Sequence, residues 1–191
     1  MIIKDWKRDL LTIPNMLSFF RILLIPVYVI IYLNATESVH YFIAATILAV
    51  SCTTDLIDGQ IARRFHMVST FGKFLDPLAD KATQFTLTVC LAIKHPILWS
   101  LALLFVIKEG FQLIAGIIQF QKGKMLTGAL ISGKICTAIL FVSLIFMVLF
   151  PNMPRTAVTL ITLIDSIFML ISFAHYGFTY WKKTAMIQDI E

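Results

Sequence analysis

A chain of 191 residues with 59% hydrophobic and only 14% charged side chains is too apolar for a water-soluble domain, in which about half the residues are apolar and about a quarter charged. Its mean hydropathy of +0.86 points to an all-α integral membrane protein, and its net charge of +5 resides in short basic segments beside apolar ones, with no nucleic-acid signature. Cys52, Cys90 and Cys136 are scattered without a C-x-x-C pair, which excludes a disulfide framework or a zinc site and leaves them as packing residues.

In chain order, residues 2–11 come first. Ile2, Ile3, Trp6 and Leu10 share a helical face against Lys4, Asp5, Lys7, Arg8 and Asp9, the pattern of an amphipathic helix lying in the membrane interface. Pro14 is expected to end it, with Asn15 or Ser18 capping the next helix. Apolar runs follow at 16–33, 41–50, 85–93, 99–120, 135–150 and 157–178. About 20 residues cross a bilayer core, so the two short runs span it only if polar residues extend them. Helix 2 is therefore read from about 40 to 64 and helix 3 from about 72 to 94, with helix 4 at about 98–121, helix 5 ending near 150 and helix 6 closing on the aromatic-basic 175–183. The expectation is six transmembrane helices in a single domain, 1–191. No cleavage site follows the first apolar run, so it is not read as a removable signal peptide.

Lys4, Lys7, Arg8, Arg63, Arg64, Lys73, Lys122, Lys124, Lys182 and Lys183 fall at one set of helix ends, against Lys94 and Arg155 at the other. The positive-inside rule then places both termini and the 2–3 and 4–5 loops in the cytoplasm of a cell membrane. Inside the spans, Lys108 and Asp165 lie at similar depth and are expected to form a buried ion pair. Glu109 and Gln112 share one helical face.

The chemistry concentrates in residues 54–81. Asp55 and Asp58 are three apart on helix 2, and Asp76 and Asp80 four apart on helix 3, so each pair shares a face. A short connection would let the pairs meet. Four carboxylates at low dielectric either protonate or hold cations. Oxygen ligands suit Mg²⁺, Mn²⁺ or Ca²⁺, and four acids suggest two ions, the arrangement that clamps attacking and leaving oxygens at phosphorus. Gly59, Gly72 and Ala62 permit a ligand close to the backbone, and Arg63 offers a phosphate contact. Helix-end solvation suits Asp76 and Asp80 but not Asp55 and Asp58, which approach a C-terminus where the helix dipole disfavours anions. A small cation transporter would favour acids near mid-membrane or inverted repeats, and the sequence has neither. A purely structural membrane subunit has no use for such a cluster.

The spacing Asp55-x2-Asp58-Gly59-x2-Ala62-Arg63-x8-Gly72-x3-Asp76-x3-Asp80 resembles, at every fixed position, the signature of the CDP-alcohol phosphatidyltransferases. That resemblance implies six transmembrane helices, usually homodimeric, around a two-metal site open to the cytosol. It implies that Asp55, Asp58, Asp76 and Asp80 bind two Mg²⁺ or Mn²⁺ ions. Gly59, Ala62, Arg63 and Gly72 would hold the CDP group, and Asp80 would take the proton from the acceptor hydroxyl.

Within the family, Ile13-Pro14-Asn15, Ser18 and Arg21, together with "STFGKFLDPLADK", look like the bacterial phosphatidylglycerophosphate synthases. The likeness implies CDP-diacylglycerol as donor, glycerol-3-phosphate as acceptor, and Lys134, Arg21 and Lys108 as candidates for the acceptor phosphate. Two positions depart from that branch: Lys108 stands where Arg is typical, and Cys136 where a second Lys is typical. The alternative is a cardiolipin synthase of the same family, with phosphatidylglycerol as acceptor. Such an acceptor needs less cationic charge, and Ala174–Gly177 faintly resembles that branch.

Overall fold

The computed structural model describes the backbone of residues 12–64, 72–121 and 131–188; side chains at 13–14, 55–64, 73–74, 119–121 and 181–188 fall outside the description. The expected interfacial helix over 2–11 lies outside the described residues, as do residues 65–71 and 122–130. Among the described residues there are six helices: α1 (Ile13–Leu33), α2 (Ser38–Arg64), α3 (Gly72–Lys94), α4 (Leu98–Gln121), α5 (Ile131–Leu149) and α6 (Arg155–Gln188). Four contain, among the described residues, stretches long and apolar enough to cross a membrane: Asn15–Leu33, Leu98–Ile118, Ile131–Leu149 and Arg155–Tyr180. The chain is a multi-pass membrane protein. Over the described residues α2 carries a shorter apolar stretch, Ser38–Thr54, and its helical backbone runs to Arg64.

Local chemistry sets the helix ends. Thr12, in extended conformation (φ −80°, ψ 148°), is the N-cap of α1, without a side-chain cap bond. Pro14 sits in the first turn, where its missing N–H costs nothing. The sequence placed this start a few residues later; Asn15 and Ser18 are inside the helix, because Pro14 falls in its first turn. At the other end, Asn34 donates both its backbone N–H (3.2 Å) and its side-chain Nδ2 (2.8 Å) to the Ile30 carbonyl. Helix α6 also departs from expectation, continuing through 175–183 to Gln188.

Two compact units can be distinguished, Met1–Cys90 with Val148–Pro151, and Leu91–Met147 with Asn152–Glu191. In the first, α1 packs along α2. Tyr28 stacks on Tyr32 (5.5 Å), and Tyr32 meets Tyr41 edge-on (5.8 Å). The Tyr41 hydroxyl donates to the Ala35 carbonyl at 3.2 Å, so this aromatic set closes the short α1–α2 turn. Ala44, Ala45 and Ala79 are buried, the small residues that allow helices to approach closely in a membrane.

In the second unit α4 packs on α6, with the Phe111 ring edge-on to Phe173 (5.1 Å) and to Tyr180 (6.0 Å). Helix α5 is keyed to α6 twice. Ser132 Oγ is bonded to His175 Nδ1 at 2.8 Å, and Gly133 lies against Tyr176 so closely that a Cβ there would stand 2.7 Å from the Tyr176 hydroxyl and 2.9 Å from its ring. Deeper in the unit, Ser143 Oγ donates to Asp165 Oδ1 at 2.9 Å. The expected Lys108–Asp165 pair is not formed. Lys108 Nζ instead binds the adjacent Glu109 at 2.7 Å, a partner that needs no approach between helices, and Asp165 is served by a hydroxyl.

Hydroxyls elsewhere fold back on their own helix. Thr83, Thr88, Thr137 and Thr162 each donate to the carbonyl four residues earlier at 2.8 Å, which satisfies them where no water competes. This is how α3 carries buried Thr83 and Thr88. The outward faces are apolar, with Leu23, Ile30, Phe42, Leu103, Leu113 and Val142 all exposed. That is the inverse of a soluble surface and the one lipid requires.

Gly133→Ala should overpack the α5–α6 contact and destabilise the protein by about 1–3 kcal/mol, read as a lower thermal midpoint in detergent; adding Tyr176→Phe, which removes the nearest atom, should recover part of the loss. Ser143→Ala should cost about 1–3 kcal/mol, since it strips a buried carboxylate whose Oδ2 already has no protein partner among the described residues. Replacing both partners, with Ser143→Ala and Asp165→Leu together, should restore the midpoint.

Candidate active site

The candidate site is built on the first unit. Helix α3 begins at Gly72 and brings Asp76 and Asp80 to one face, about 6 Å apart along the axis at 1.5 Å per residue. Both are half-buried. Helix α1 supplies their partners. Ser18 Oγ donates to Asp76 Oδ1, and Arg21 Nη1 donates to Asp80 Oδ1 at 2.5 Å. Ser18 meets the earlier acid and Arg21 the later one, so α1 and α3 run parallel here.

Burial differs across the ion pair. The Arg21 side chain is 2% exposed and that of Asp80 41%: the guanidinium comes from inside the helix packing and the carboxylate looks outward. Asn15, Ser18 and Arg21 are all buried, at intervals of three along α1, so a polar ridge runs down the inner face of an apolar helix. Below Arg21, a cavity of about 10 Å³ lies among α1, α2 and α3, lined also by Tyr28, Ser51, Thr83 and apolar side chains.

Asp55, Asp58, Gly59, Ala62 and Arg63 all lie on the helical backbone of α2. The i,i+3 placement of the two acids on one helical face therefore holds; their side chains are outside the described residues, and with them the expected meeting of the two acid pairs. Among the described residues no group of three His, Cys, Asp or Glu side chains stands together. The described half of the set nonetheless suits a hard divalent cation. Two carboxylates one turn apart, each anchored by a hydrogen bond, present oxygens at a partly exposed surface, and a carboxylate accepts at up to about four positions.

The remaining acceptor candidates belong to the second unit. Lys108 is buried and paired with Glu109, and on the same helical face as Glu109 the buried Gln112 Nε2 has no hydrogen-bond partner among the described residues. Lys134 is exposed in the first turn of α5. Cys136 is buried, 2% exposed, so a lysine at this position would point into the protein. Sequence reasoning left Ser18 without a site role and made Arg21 a candidate for the acceptor phosphate. The signal for both was the i,i+3,i+6 polar series in an otherwise apolar span.

A membrane protein of six helices, with acids anchored at the start of one and carried near the end of another, defines the class. The family model for CDP-alcohol phosphatidyltransferases matches residues 11–179, and the chain belongs to that family. It is 39% identical over 90 residues to a CDP-diacylglycerol–glycerol-3-phosphate 3-phosphatidyltransferase of Pseudomonas fluorescens, covering 47% of this chain and 45% of the relative. An Escherichia coli protein of the same name is 42% identical over 88 residues, 46% of this chain and 47% of that one. A Schizosaccharomyces pombe cardiolipin synthase (CMP-forming)/mitochondrial hydrolase fusion protein is 38% identical over 102 residues, 52% of this chain and 16% of the fusion. The matches thus span about half the length of the bacterial relatives.

Proposed function

We propose that this chain transfers the phosphatidyl group of CDP-diacylglycerol to the hydroxyl of glycerol-3-phosphate, giving phosphatidylglycerophosphate and CMP. One observation carries the reading: Asp76 and Asp80 of the family motif stand on one helical face, half exposed and held by α1. The names of the Pseudomonas and Escherichia relatives support glycerol-3-phosphate over other alcohols.

In this reading Asp55, Asp58, Asp76 and Asp80 hold two Mg²⁺ or Mn²⁺ ions. When bound, such ions withdraw charge from the diphosphate and from the departing CMP. Gly59, Ala62 and Gly72 give the CDP group access to the backbone, and Arg63 contacts its phosphate. Asp80 accepts the proton of the acceptor hydroxyl as that oxygen bonds to the β-phosphorus. The phosphorus–oxygen bond to the CMP moiety breaks, and its electron pair leaves on the CMP phosphate. Lys134, with Lys108, supplies cationic donors for the acceptor phosphate, while Arg21 is engaged with Asp80. The protein works as a single-domain homodimer in the cell membrane with its termini and site facing the cytoplasm, the side that the basic residues favour.

The cardiolipin synthase reading has one structural point in its favour. The inward-facing position 136 holds an uncharged cysteine, which suits an acceptor carrying a phosphodiester.

A product assay separates the two. Purified protein with CDP-diacylglycerol and Mg²⁺ should release CMP and form phosphatidylglycerophosphate with glycerol-3-phosphate, and no cardiolipin with phosphatidylglycerol. Asp80→Asn should lower kcat about 10²–10⁴-fold. Cardiolipin alone would move the protein to the second reading. In the same assay, Lys134→Ala should raise KM for glycerol-3-phosphate about 10-fold or more with a smaller change in kcat, the loss expected for one charge-assisted hydrogen bond.

A further inference from the structure

We propose that Ser18 and Arg21 of α1 are positioning residues for Asp76 and Asp80, acting as outer-shell partners that fix how the two carboxylates face the cation and the acceptor. The inference rests on the function proposed above and deepens it. Neither residue lies in the motif that carries the acids; each reaches α3 from another helix, 58 and 59 residues away in sequence.

The argument begins with cost. A guanidinium that is 98% buried within packed helices needs a hydrogen-bonded counter-charge, and a shorter or apolar side chain at position 21 would pack without that need. Arg21 meets it with Asp80, an acid that is itself 41% exposed. The pair is therefore asymmetric: one end is locked in the interior, the other reaches a partly exposed surface. Ser18 is fully buried and makes the same kind of contact one turn earlier. Thr83, Thr88 and Thr162 donate to their own helix, whereas the Ser18 hydroxyl reaches across to a carboxylate. Two donors one turn apart thus address two acids one turn apart, and each takes one Oδ1. Hydrogen bonds of this type orient metal-ligating carboxylates, and their loss typically lowers metal affinity about 10–100-fold.

The test uses the purified full chain in detergent. Mn²⁺ binding is followed by electron paramagnetic resonance, and kcat and KM for glycerol-3-phosphate are measured alongside. Ser18→Ala should raise the Mn²⁺ dissociation constant about 10-fold or more, and Ser18→Thr, which keeps the hydroxyl, should return it to within about 2-fold of the parent. Arg21→Gln should lower kcat about 10-fold or more while KM for glycerol-3-phosphate moves less than about 2-fold, because the loss is in the placement of Asp80 and not in acceptor binding.

Unchanged Mn²⁺ affinity in Ser18→Ala overturns the proposal, as does an Arg21→Gln defect confined to the acceptor KM. A lower thermal midpoint in Ser18→Ala with Mn²⁺ affinity retained assigns these contacts to folding alone, and also overturns it. If Arg21→Gln does not fold, the Ser18 variants decide. A parent protein that binds no Mn²⁺ and releases no CMP fails before any variant is compared, and the proposed function falls together with this inference.

Discussion

A charge placed among membrane helices must be answered by another group of the protein, because lipid offers no hydrogen bond. The Arg21–Asp80 pair is where this chain meets that constraint most sharply. Arg21 is rooted in α1 and Asp80 in α3, so the pair fixes the rotation of both helices about their axes. Ser18 and Asp76 repeat the contact one turn away, which fixes their relative translation as well. The stacked tyrosines at the α1–α2 turn then hold the far end of α1. A polar ridge at one end of α1 and an aromatic cluster at the other fasten an otherwise apolar rod.

Much of this was legible in the sequence. The bounds expected for α3 and α4 agree with those observed, because Gly72, Lys94, Pro96 and Gln121 mark abrupt changes of polarity. The family followed from eight residues at fixed spacing across 26 positions. What stayed hidden were contacts between helices. Periodicity tells which residues share a face, but not which partner on another helix a polar side chain will choose. Lys108 shows the difficulty. Its depth matched that of Asp165, yet its flexible stem turned to the adjacent Glu109, and a serine on α5 took Asp165. The start of α1 was misplaced for a related reason: proline ends one helix or opens another, and only the backbone distinguishes the two.

The two units handle polarity differently. Around Asp76 and Asp80 it reaches a partly exposed surface. Around Asp165, which is 2% exposed, it is turned inward and answered by a single hydroxyl, so this acid serves the packing of α5 on α6. The threonines that bond to their own carbonyls form a third mode, in which side-chain polarity is cancelled within one helix. That mode accommodates Thr83 and Thr88 on α3, although hydropathy over the described residues does not select this helix as a span.

The contact between Gly133 and Tyr176 also constrains how this protein can change over generations. Lys134 is the neighbour of Gly133, so the direction in which it leaves α5 is tied to a ring on α6 that is itself stacked on Tyr180. Any side chain at 133 must be accompanied by a smaller or displaced residue at 176, and neither step is favourable alone. The two positions are therefore expected to be inherited as a pair, and the neighbouring positions 134 and 136 can vary only within the limits that this pair sets.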